Sequence, residues 1–415
     1  MSKKIAIIGA GISGLTAAWL LGRRHQVTLF EAEQTLGGHT HTVPVTRPHG
    51  DYAIDVGFIV FNDRTYPHFN RLLDQIGVGR QDTEMGFAIS CERTGVEYCG
   101  RNLAGVFAQR RNLVSAAHWR MIRDILRFNR EAPALLDNQD GELPLGEYLR
   151  REGYSERFMS HYILPMGGAI WSCSEKRMAE FPARFFVRFF DHHGLLSLKN
   201  RPQWHVVPGG SSRYLDKLVP AINAEIRRGC RVLEVTRQNE GVTVLSAAGS
   251  EHYDEVILAC HSDQALSLLA DADAQEQQRL RDIPYQDNDV VLHTDTRLLP
   301  RSRKVWSSWN ALLPEIPGDL IQVTYNMNIL QGIEAPETFC VTLNATDRIN
   351  PASIISRHRF AHPVFTPAGI ASRHAIEAAN GARHTWFCGA WCRNGFHEDG
   401  VVSALRVAEA FGETL

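Results

Sequence analysis

"KKIAIIGAGISGLTAAWLLGRRHQVTLFEA", residues 3–32, is the stretch that decides the fold. Lys4 to Ile8 is a continuously apolar run of strand length, the pattern of a strand buried on both faces in a parallel sheet. Gly9, Gly11 and Gly14 then fall in G-x-G-x-x-G spacing and open an Ala/Leu-rich helical stretch that ends near Gly22. "QVTLFEA" reads as the second strand. In such a unit the first glycine permits the tight turn, the second lets backbone approach a pyrophosphate, and the third lets helix and strand pack closely. Ser13 lies in the same loop, where the helix N-terminus presents unpaired N–H groups to an anion. Glu31 closes the second strand 22 residues after Gly9. A carboxylate there accepts both hydroxyls of an adenosine ribose and repels a 2'-phosphate, which disfavours NADP. A G-x-G-x-x-G alone says little; here strand, helix and acid stand in the required order.

Later segments bear on which dinucleotide is held. "EAEQTLGGHTHT", residues 31–42, places Gly37 and Gly38 just beyond the acid, followed by His39 and Thr40. "AIDVGFIVFND", residues 53–63, supplies an Asp-x-Gly at Asp55 and Gly57. "WHVVPGGSSRYLDKLV", residues 204–219, puts a Pro-Gly-Gly turn before a helix. "CRVLEVTRQNEGVTVLSAAGSEHYDEVILAC", residues 230–260, reads as strands in hairpin order with Val232 near its start. The end of the chain holds "HTWFCGAW", residues 384–391, and "GFHEDGVVSALRVAEAF", residues 395–411: a strand, a turn at Gly389 and an apolar helix.

Together these segments resemble the FAD-dependent amine-oxidase and phytoene-desaturase superfamily, and within it most resemble bacterial NAD/FAD-binding flavoproteins of unsettled substrate. The resemblance is strong at both termini and in the middle, and thin between. It implies an α/β fold: a Rossmann-like FAD-binding domain of the amine-oxidase and glutathione-reductase type, with a second, α+β substrate domain. By the same resemblance Gly37 and Gly38 lie against the diphosphate, Gly57 brings backbone near the flavin, and Val232 touches adenine through its backbone. Gly389 lies over the ribityl chain, and Asp399, Gly400 and Val401 begin a helix whose N-terminus points at the flavin pyrimidine. Unpaired N–H groups at that helix start stabilise negative charge on a reduced ring. NAD has no use for this second dipole, so non-covalently bound FAD is the expected cofactor. Two positions depart from the pattern. His39 stands where the superfamily has arginine, and a neutral imidazole gives a diphosphate less help than a guanidinium. Ala390 stands where an acidic residue usually follows the turn glycine.

A chain of 415 residues exceeds one compact core, so two domains are expected. The motifs assign residues 1–65, 204–261 and 355–415 to the cofactor domain, and residues 66–203 and 262–354 to the substrate domain. A net charge of -2 gives no general reason to expect nucleic acid. The eight cysteines are scattered, and Cys388 and Cys392 lie one residue too far apart for a redox CxxC, so reduced thiols in a cytoplasmic protein are expected. The apolar start breaks at glycines and reads as a strand rather than a signal peptide. No apolar run approaches the length of a membrane span. His397, Glu398 and Asp399 are sequence neighbours that do not converge on one ion without a sharp backbone turn, so no metal is expected.

In the substrate part, "GFAISCERTGVEYCG", residues 86–100, reads as a hairpin, and "VVLHTD", "KVWSSWNAL", "LIQVTYNMN" and "TFCVTLNAT" read as strands of a mixed sheet. In "HWRMIRDILRFNR", residues 118–130, Arg120, Arg123, Arg127 and Arg130 recur at helical spacing, with Trp119, Ile122, Ile125 and Leu126 expected on the opposite side. Such a face is either solvated or a dock for anionic lipid headgroups, which adds membrane association to the cytoplasmic expectation. "FPARFFVRFFDHHGLL", residues 181–196, pairs Phe185 with Phe189 and Phe186 with Phe190, as core or as the lining for a long apolar substrate. Trp171, Trp309, Tyr325 and Trp391 are candidates for the wall that faces flavin and substrate.

The superfamily's flavin takes hydride from a carbon beside nitrogen, oxygen or a double bond, while the protein supplies orientation and dryness. No Ser/His/Asp set and no carboxylate pair suits hydrolysis, and no second G-x-G-x-x-G awaits a nicotinamide. Electrons are therefore expected to leave to dioxygen, a quinone or another carrier. The lysine that many amine oxidases use has no matching position, and no catalytic side chain is assigned. The leading expectation is an FAD-dependent dehydrogenase, desaturase or oxidase acting on an apolar, lipid-derived substrate. The alternatives are a flavin-dependent isomerase or mutase, an amine oxidase, and a non-catalytic flavin-binding partner protein.

Overall fold

The computed structural model describes residues 2–197, 199–316 and 318–415. Lys4–Ile8 is a strand, Ile12–Leu21 a helix and Gln26–Phe30 a strand, as the first motif requires. Lys4–Ile8 pairs in parallel with Gln26–Phe30 on one side and Glu255–Leu258 on the other. Glu225–Arg227 and Thr385–Phe387 extend the parallel sheet at its two edges. Strands from the start, middle and end of the chain thus lie side by side, which brings both glycine clusters to one sheet. The first helix is buried on nearly every side, so its sequence is apolar all round rather than striped. It packs against the last helix, His397–Ala410, through a core that includes Leu15, Ala18, Val401, Ala404 and Ala408. The opposite face is covered by an antiparallel meander, Val232–Gln238, Gly241–Ser246 and Gly249–Tyr253, around Val235, Val244 and Tyr253.

The second sheet has seven strands, in the order Ile354–Pro363, Tyr285–His293, Cys340–Leu343, Gln322–Asn326, Trp309–Leu313, Phe87–Cys91 and Val96–Cys99. Phe87–Cys91 and Val96–Cys99 form the expected antiparallel hairpin. The stretch read as "KVWSSWNAL" is a strand only from Trp309, because residues 303–305 form a 3-10 turn. Helices between Ala116 and His192 pack around the largest core of the chain.

Two stretches fall outside the expected partition. Ile354–Pro363 is hydrogen-bonded to Tyr285–His293 in the second sheet, although residues 355–415 were assigned to the cofactor part. Its partner strand lies some 70 residues earlier, and no local signal announces such a pairing. The helix Pro67–Ile76, expected in the substrate part, buries Phe69, Leu72 and Leu73 in the core of the first helix. Glu398 of the last helix holds it there, accepting from His68 N at 3.0 Å and Phe69 N at 2.8 Å.

The arginine-rich helix, Ala116–Glu131, also differs from expectation. Its buried side is His118, Met121, Asp124 and Phe128. Trp119 and Leu126 are exposed and share the outer side with the arginines instead of opposing them. Among the described residues no helix is long and apolar enough to cross a membrane.

Candidate cofactor and substrate site

The glycines of the two N-terminal loops are there for different reasons. Gly9 has φ +104, and a β-carbon on it would lie 2.8 Å from the carbonyl oxygen of Ala259. A β-carbon on Gly14 would sit 1.9 Å from the oxygen of Gly9, which is how the helix comes so close to the strand. Gly37 bridges to Gly11, and a β-carbon on Gly38 would stand 3.2 Å from Gly11 Cα. Gly57 is pressed against the backbone of His39, with its would-be β-carbon 2.0 Å from His39 O. Gly11 is the exception. Its φ of -72 suits any residue, and a β-carbon there would meet no protein atom within 4 Å. Nothing in the protein requires glycine at Gly11, so the open space in front of the helix N-terminus is a cradle that a methyl would fill. That is the fit expected for a diphosphate.

Glu31 is held in place by backbone. Its Oε2 accepts from Ala10 N at 2.8 Å and its Oε1 from Glu33 N at 3.0 Å. Each oxygen keeps a lone pair for a ribose hydroxyl. Cys230 N donates to Glu31 O at 2.8 Å, which brings the strand beginning at Val232 beside the acid. Thr40 is buried, its hydroxyl 2.6 Å from Tyr214 OH, and Ser13 is buried at the start of the first helix.

At the far end, Gly389 N donates to Ser403 Oγ at 2.9 Å, tying the strand-end turn to the last helix. A β-carbon on Gly400 would lie 2.7 Å from Ile12 Cγ2 and 2.9 Å from Ser13 Oγ. The two helix N-termini therefore meet at glycine. Asp399 caps its own helix, its Oδ2 accepting from Phe396 N at 3.0 Å and Asn394 N at 3.2 Å, while burial pushes its carboxyl up to about 6. Val401 is fully buried. His397, Glu398 and Asp399 point to separate partners: His397 Nε2 lies 3.0 Å from Tyr214 OH, Glu398 binds the Pro67–Ile76 helix, and Asp399 turns back on its own cap. The structure thus sets the Gly37–Gly38 loop and the start of the last helix against the N-terminus of the first helix.

A buried network links these loops to the second sheet. Asp55 Oδ1 accepts from Ser211 N at 2.8 Å, Ser211 Oγ at 2.9 Å and Thr42 Oγ1 at 2.5 Å, and Asp55 Oδ2 accepts from Gln331 Nε2 at 3.0 Å. Burial pushes this carboxyl up to about 7, against the pull of those donors.

Sequence reading missed a histidine cluster at the same loops. The ring of His39 lies 5.9 Å from that of His261 and 5.6 Å from that of His362, with Phe360 at 5.1 Å. Burial pushes His39 down to about 3 and His362 to about 4, so both are neutral, and His39 Nε2 has no hydrogen-bond partner. Single histidines from three distant segments leave no spacing signal. Only the register of Ile354–Pro363 in the second sheet brings His362 here.

The four aromatic candidates separate. Trp309 and Tyr325 face each other across adjacent strands, ring centroids 5.0 Å apart at 81°, and Trp309 Nε1 is buried without a partner. Trp171 packs on Phe189 at 4.7 Å, also with a partnerless Nε1. Trp391 does not join them. It donates to Cys260 O at 3.0 Å and is buried in the core that also holds Val235, Val244 and Tyr253 of the meander. Phe186 stacks on Phe190 as read, at 4.0 Å. Phe185 and Phe189 instead take distant partners, Phe365 at 5.4 Å and Phe396 at 4.9 Å. Beside this wall lies Arg373, unremarked in the sequence, its guanidinium 5.6 Å from the rings of both Phe185 and Phe365. It is 8% exposed, its Nε and Nη1 have no partner, and burial pulls it down to about 10. A buried, unpaired cation is costly unless an anion meets it. Burial pushes the Cys388 and Cys392 thiols up, which leaves them unreactive.

The sequence pattern of flavin containing amine oxidoreductases matches residues 12–319. Over 267 residues the chain is 26% identical to a Mycobacterium tuberculosis protein named flavin-containing monoamine oxidase AofH, a match that takes in 61% of this chain and 56% of that one. The chain therefore spans little more than half the length of that relative. Over 97 residues, 23% of this chain and 18% of the other, it is 35% identical to the 1-hydroxycarotenoid 3,4-desaturase of a Flavobacterium. The CLA-producing fatty acid isomerase from P. acnes superposes with a TM-score of 0.72 at 16% identity, covering 99% of this chain and 98% of that one. Cyclohexylamine oxidase from Brevibacterium oxydans does so with 0.65 at 16%, covering 99% of this chain and 100% of that one. These two likenesses are of fold alone. The glycine cradle, the anchored Glu31 and the matched pattern agree: the chain belongs to the family of flavin-containing amine oxidoreductases, whose cofactor is FAD.

Proposed function

We propose that the chain is an FAD-dependent oxidoreductase that removes hydride from an apolar, fatty-acyl or other lipid-derived substrate. Gly9, Gly11, Ser13 and Gly14 would hold the diphosphate together with Gly37, Gly38, His39 and Thr40. Glu31 and Val232 would hold the adenosine, and Gly57, Gly389, Asp399, Gly400 and Val401 the flavin end. When bound, FAD supplies the hydride acceptor. The protein's own residues orient the substrate and keep water out. In this reading the parallel sheet with its two glycine-bearing helices is the cofactor domain, and the seven-stranded sheet with helices Ala116 to His192 is the substrate domain.

The substrate half of the proposal is carried by one observation. Trp171, Phe185, Phe189, Phe365 and Phe396 form an aromatic wall beside the start of the last helix, with the partnerless Arg373 at its margin. Rings suit an acyl chain, and a desolvated guanidinium suits an acidic head. All six lysines are exposed or half-buried, so none is sequestered at the wall to serve amine oxidation. Electrons leave to dioxygen, a quinone or another carrier, and the site of action is cytoplasmic, with membrane contact through the arginine-rich helix.

Anaerobic mixing of the yellow protein with candidate substrates tests this. Fatty acids and lipid extract are expected to bleach the flavin band, whereas primary amines leave it. Bleaching by amines alone refutes the lipid reading. Lipid turnover without stoichiometric bleaching replaces it with a flavin-dependent isomerase.

A further inference from the structure

Among the described residues eight large hydrophobic side chains are exposed, and five of them, Leu103, Leu113, Val114, Trp119 and Leu126, lie between positions 103 and 126. Scattered exposed apolar residues need no explanation, but a contiguous group does. This group is contiguous. Trp119 Nε1 donates to Leu113 O at 2.8 Å, and its ring lies 5.0 Å from that of Phe107. His118 Nε2 lies 3.1 Å from Val106 O. The short helix Leu103–Val106, the turn Arg110–Val114 and the start of helix Ala116–Glu131 therefore make one surface. On the long helix Trp119, Arg123, Leu126 and Arg130 follow one another at steps of three and four along the outer side.

The charge of this surface is as uneven as its polarity. Residues 101–130 hold seven arginines and one acid, a net of +6, which leaves -8 on the rest of the chain. The one acid, Asp124, is buried and accepts from Ser155 N at 2.9 Å. Arg101 pairs with Glu84, and Arg127 and Arg130 pair with Glu131. Arg110, Arg120 and Arg123 are exposed and make no ion pair among the described residues. A merely solvated helix face accounts for the arginines but not for a tryptophan and leucines set among them.

We propose that the surface formed by residues 103–126 docks on an anionic phospholipid bilayer, and that the substrate is an acyl lipid drawn from it. Exposed leucine, valine and tryptophan reach the acyl boundary while unpaired arginines meet headgroup phosphates. The inner side of the same helix packs on the core behind the aromatic wall. Phe128 lies 6.5 Å from Phe186, which is itself 6.1 Å from Trp171. The second half of the proposal rests on the lipid reading above, whereas the first stands on the surface alone.

The test is co-sedimentation of the full-length, FAD-loaded protein with vesicles of phosphatidylglycerol and phosphatidylcholine, against phosphatidylcholine alone. Binding is expected only to the anionic vesicles and to weaken with salt. Arg120→Gln with Arg123→Gln should lower the partition constant about 25-fold, at roughly fivefold per arginine. Leu113→Ser with Val114→Ser should sharply weaken binding, and thermal unfolding should be unchanged because both side chains are exposed. Equal binding to both vesicle types, or variants that bind like the parent chain, would overturn the docking. So would a chain that dimerises through this face and ignores vesicles. Anionic vesicles that bind the protein yet never bleach its flavin would leave the docking in place and remove the lipid substrate.

Discussion

Replacing Gly11 and Gly14 separately with alanine distinguishes a glycine needed by the ligand from one needed by the fold. At Gly11 a β-carbon meets no protein atom within 4 Å, and φ is -72. Gly11 is the N-cap of the first helix, where alanine is worse than glycine by up to about 1 kcal/mol. Alanine also removes freedom from the unfolded chain, which returns about 0.4–1 kcal/mol. The net effect on the ligand-free protein is within about 0.5 kcal/mol of zero. At Gly14 the new methyl would stand 1.9 Å from Gly9 O and 3.2 Å from Ala259 Cβ, and neither backbone nor β-carbon can swing aside. Relief requires the helix to lift from the strand, a shift that costs about 1–3 kcal/mol or more. Both substitutions should weaken FAD, Gly11→Ala by roughly 10- to 100-fold, because about 1.4–2.8 kcal/mol of close backbone approach is lost. Denaturant unfolding of the deflavinated variants gives the first quantity, and quenching of FAD fluorescence gives the second. A Gly11→Ala protein that binds FAD like the parent would refute the cradle. One as unstable as Gly14→Ala would show that the glycine serves the fold after all.

Other consequences follow from buried polar groups. Asp55→Ala strips four donors of their acceptor, and since buried unsatisfied donors cost about 1–3 kcal/mol each before relaxation, a loss of at least about 2 kcal/mol is expected in denaturant unfolding; an unchanged midpoint would contradict the network. His39, His362 and His397 are held neutral, near 3, 4 and 3, while the unfolded chain protonates them near 6.5. The unfolded state therefore takes up more protons as pH falls below 6.5, and the deflavinated protein should lose about 1.4 kcal/mol per pH unit for each histidine until the folded values are reached. Asp55 and Asp399, raised by burial to about 7 and 6, take up protons in the folded state first and oppose this loss over the same range. The check is therefore by difference: a His39→Gln or His362→Gln variant whose stability falls as steeply as the parent's between pH 6.5 and 4 would exclude neutral burial. His39→Arg places a guanidinium where the neutral imidazole stands, and equilibrium binding should show FAD held about tenfold more tightly, with some loss of stability when the cofactor is absent. Arg373→Met removes an unpaired buried cation and should raise the melting temperature of the substrate-free protein, while a fatty acid that stabilises the parent no longer stabilises the variant.

The first strand–turn–helix–strand unit was legible because its contacts are tied to local backbone. Gly9, Gly14 and Glu31 work through spacing along one strand–turn–helix–strand unit, and spacing is written in the sequence. The last helix, apolar after its polar first turn, and its glycine declared themselves in the same way. Gly11 shows the limit. The motif named it, but only the packing around it shows that no protein atom requires it to be glycine.

What the tertiary structure alone decided is where side chains point after distant strands pair. The register of Ile354–Pro363 against Tyr285–His293 carries His362 to His39, and Trp391 bonds to Cys260 in the core instead of joining the wall. The rotation of helix Ala116–Glu131 is set by what Met121 and Phe128 bury, which leaves Trp119 facing outward beside arginines it was expected to oppose. Local spacing fixes a turn or a helix because its hydrogen bonds close within a few residues. The side that faces a ligand, a core or a membrane depends on contacts between segments far apart in sequence, and no window of sequence contains them.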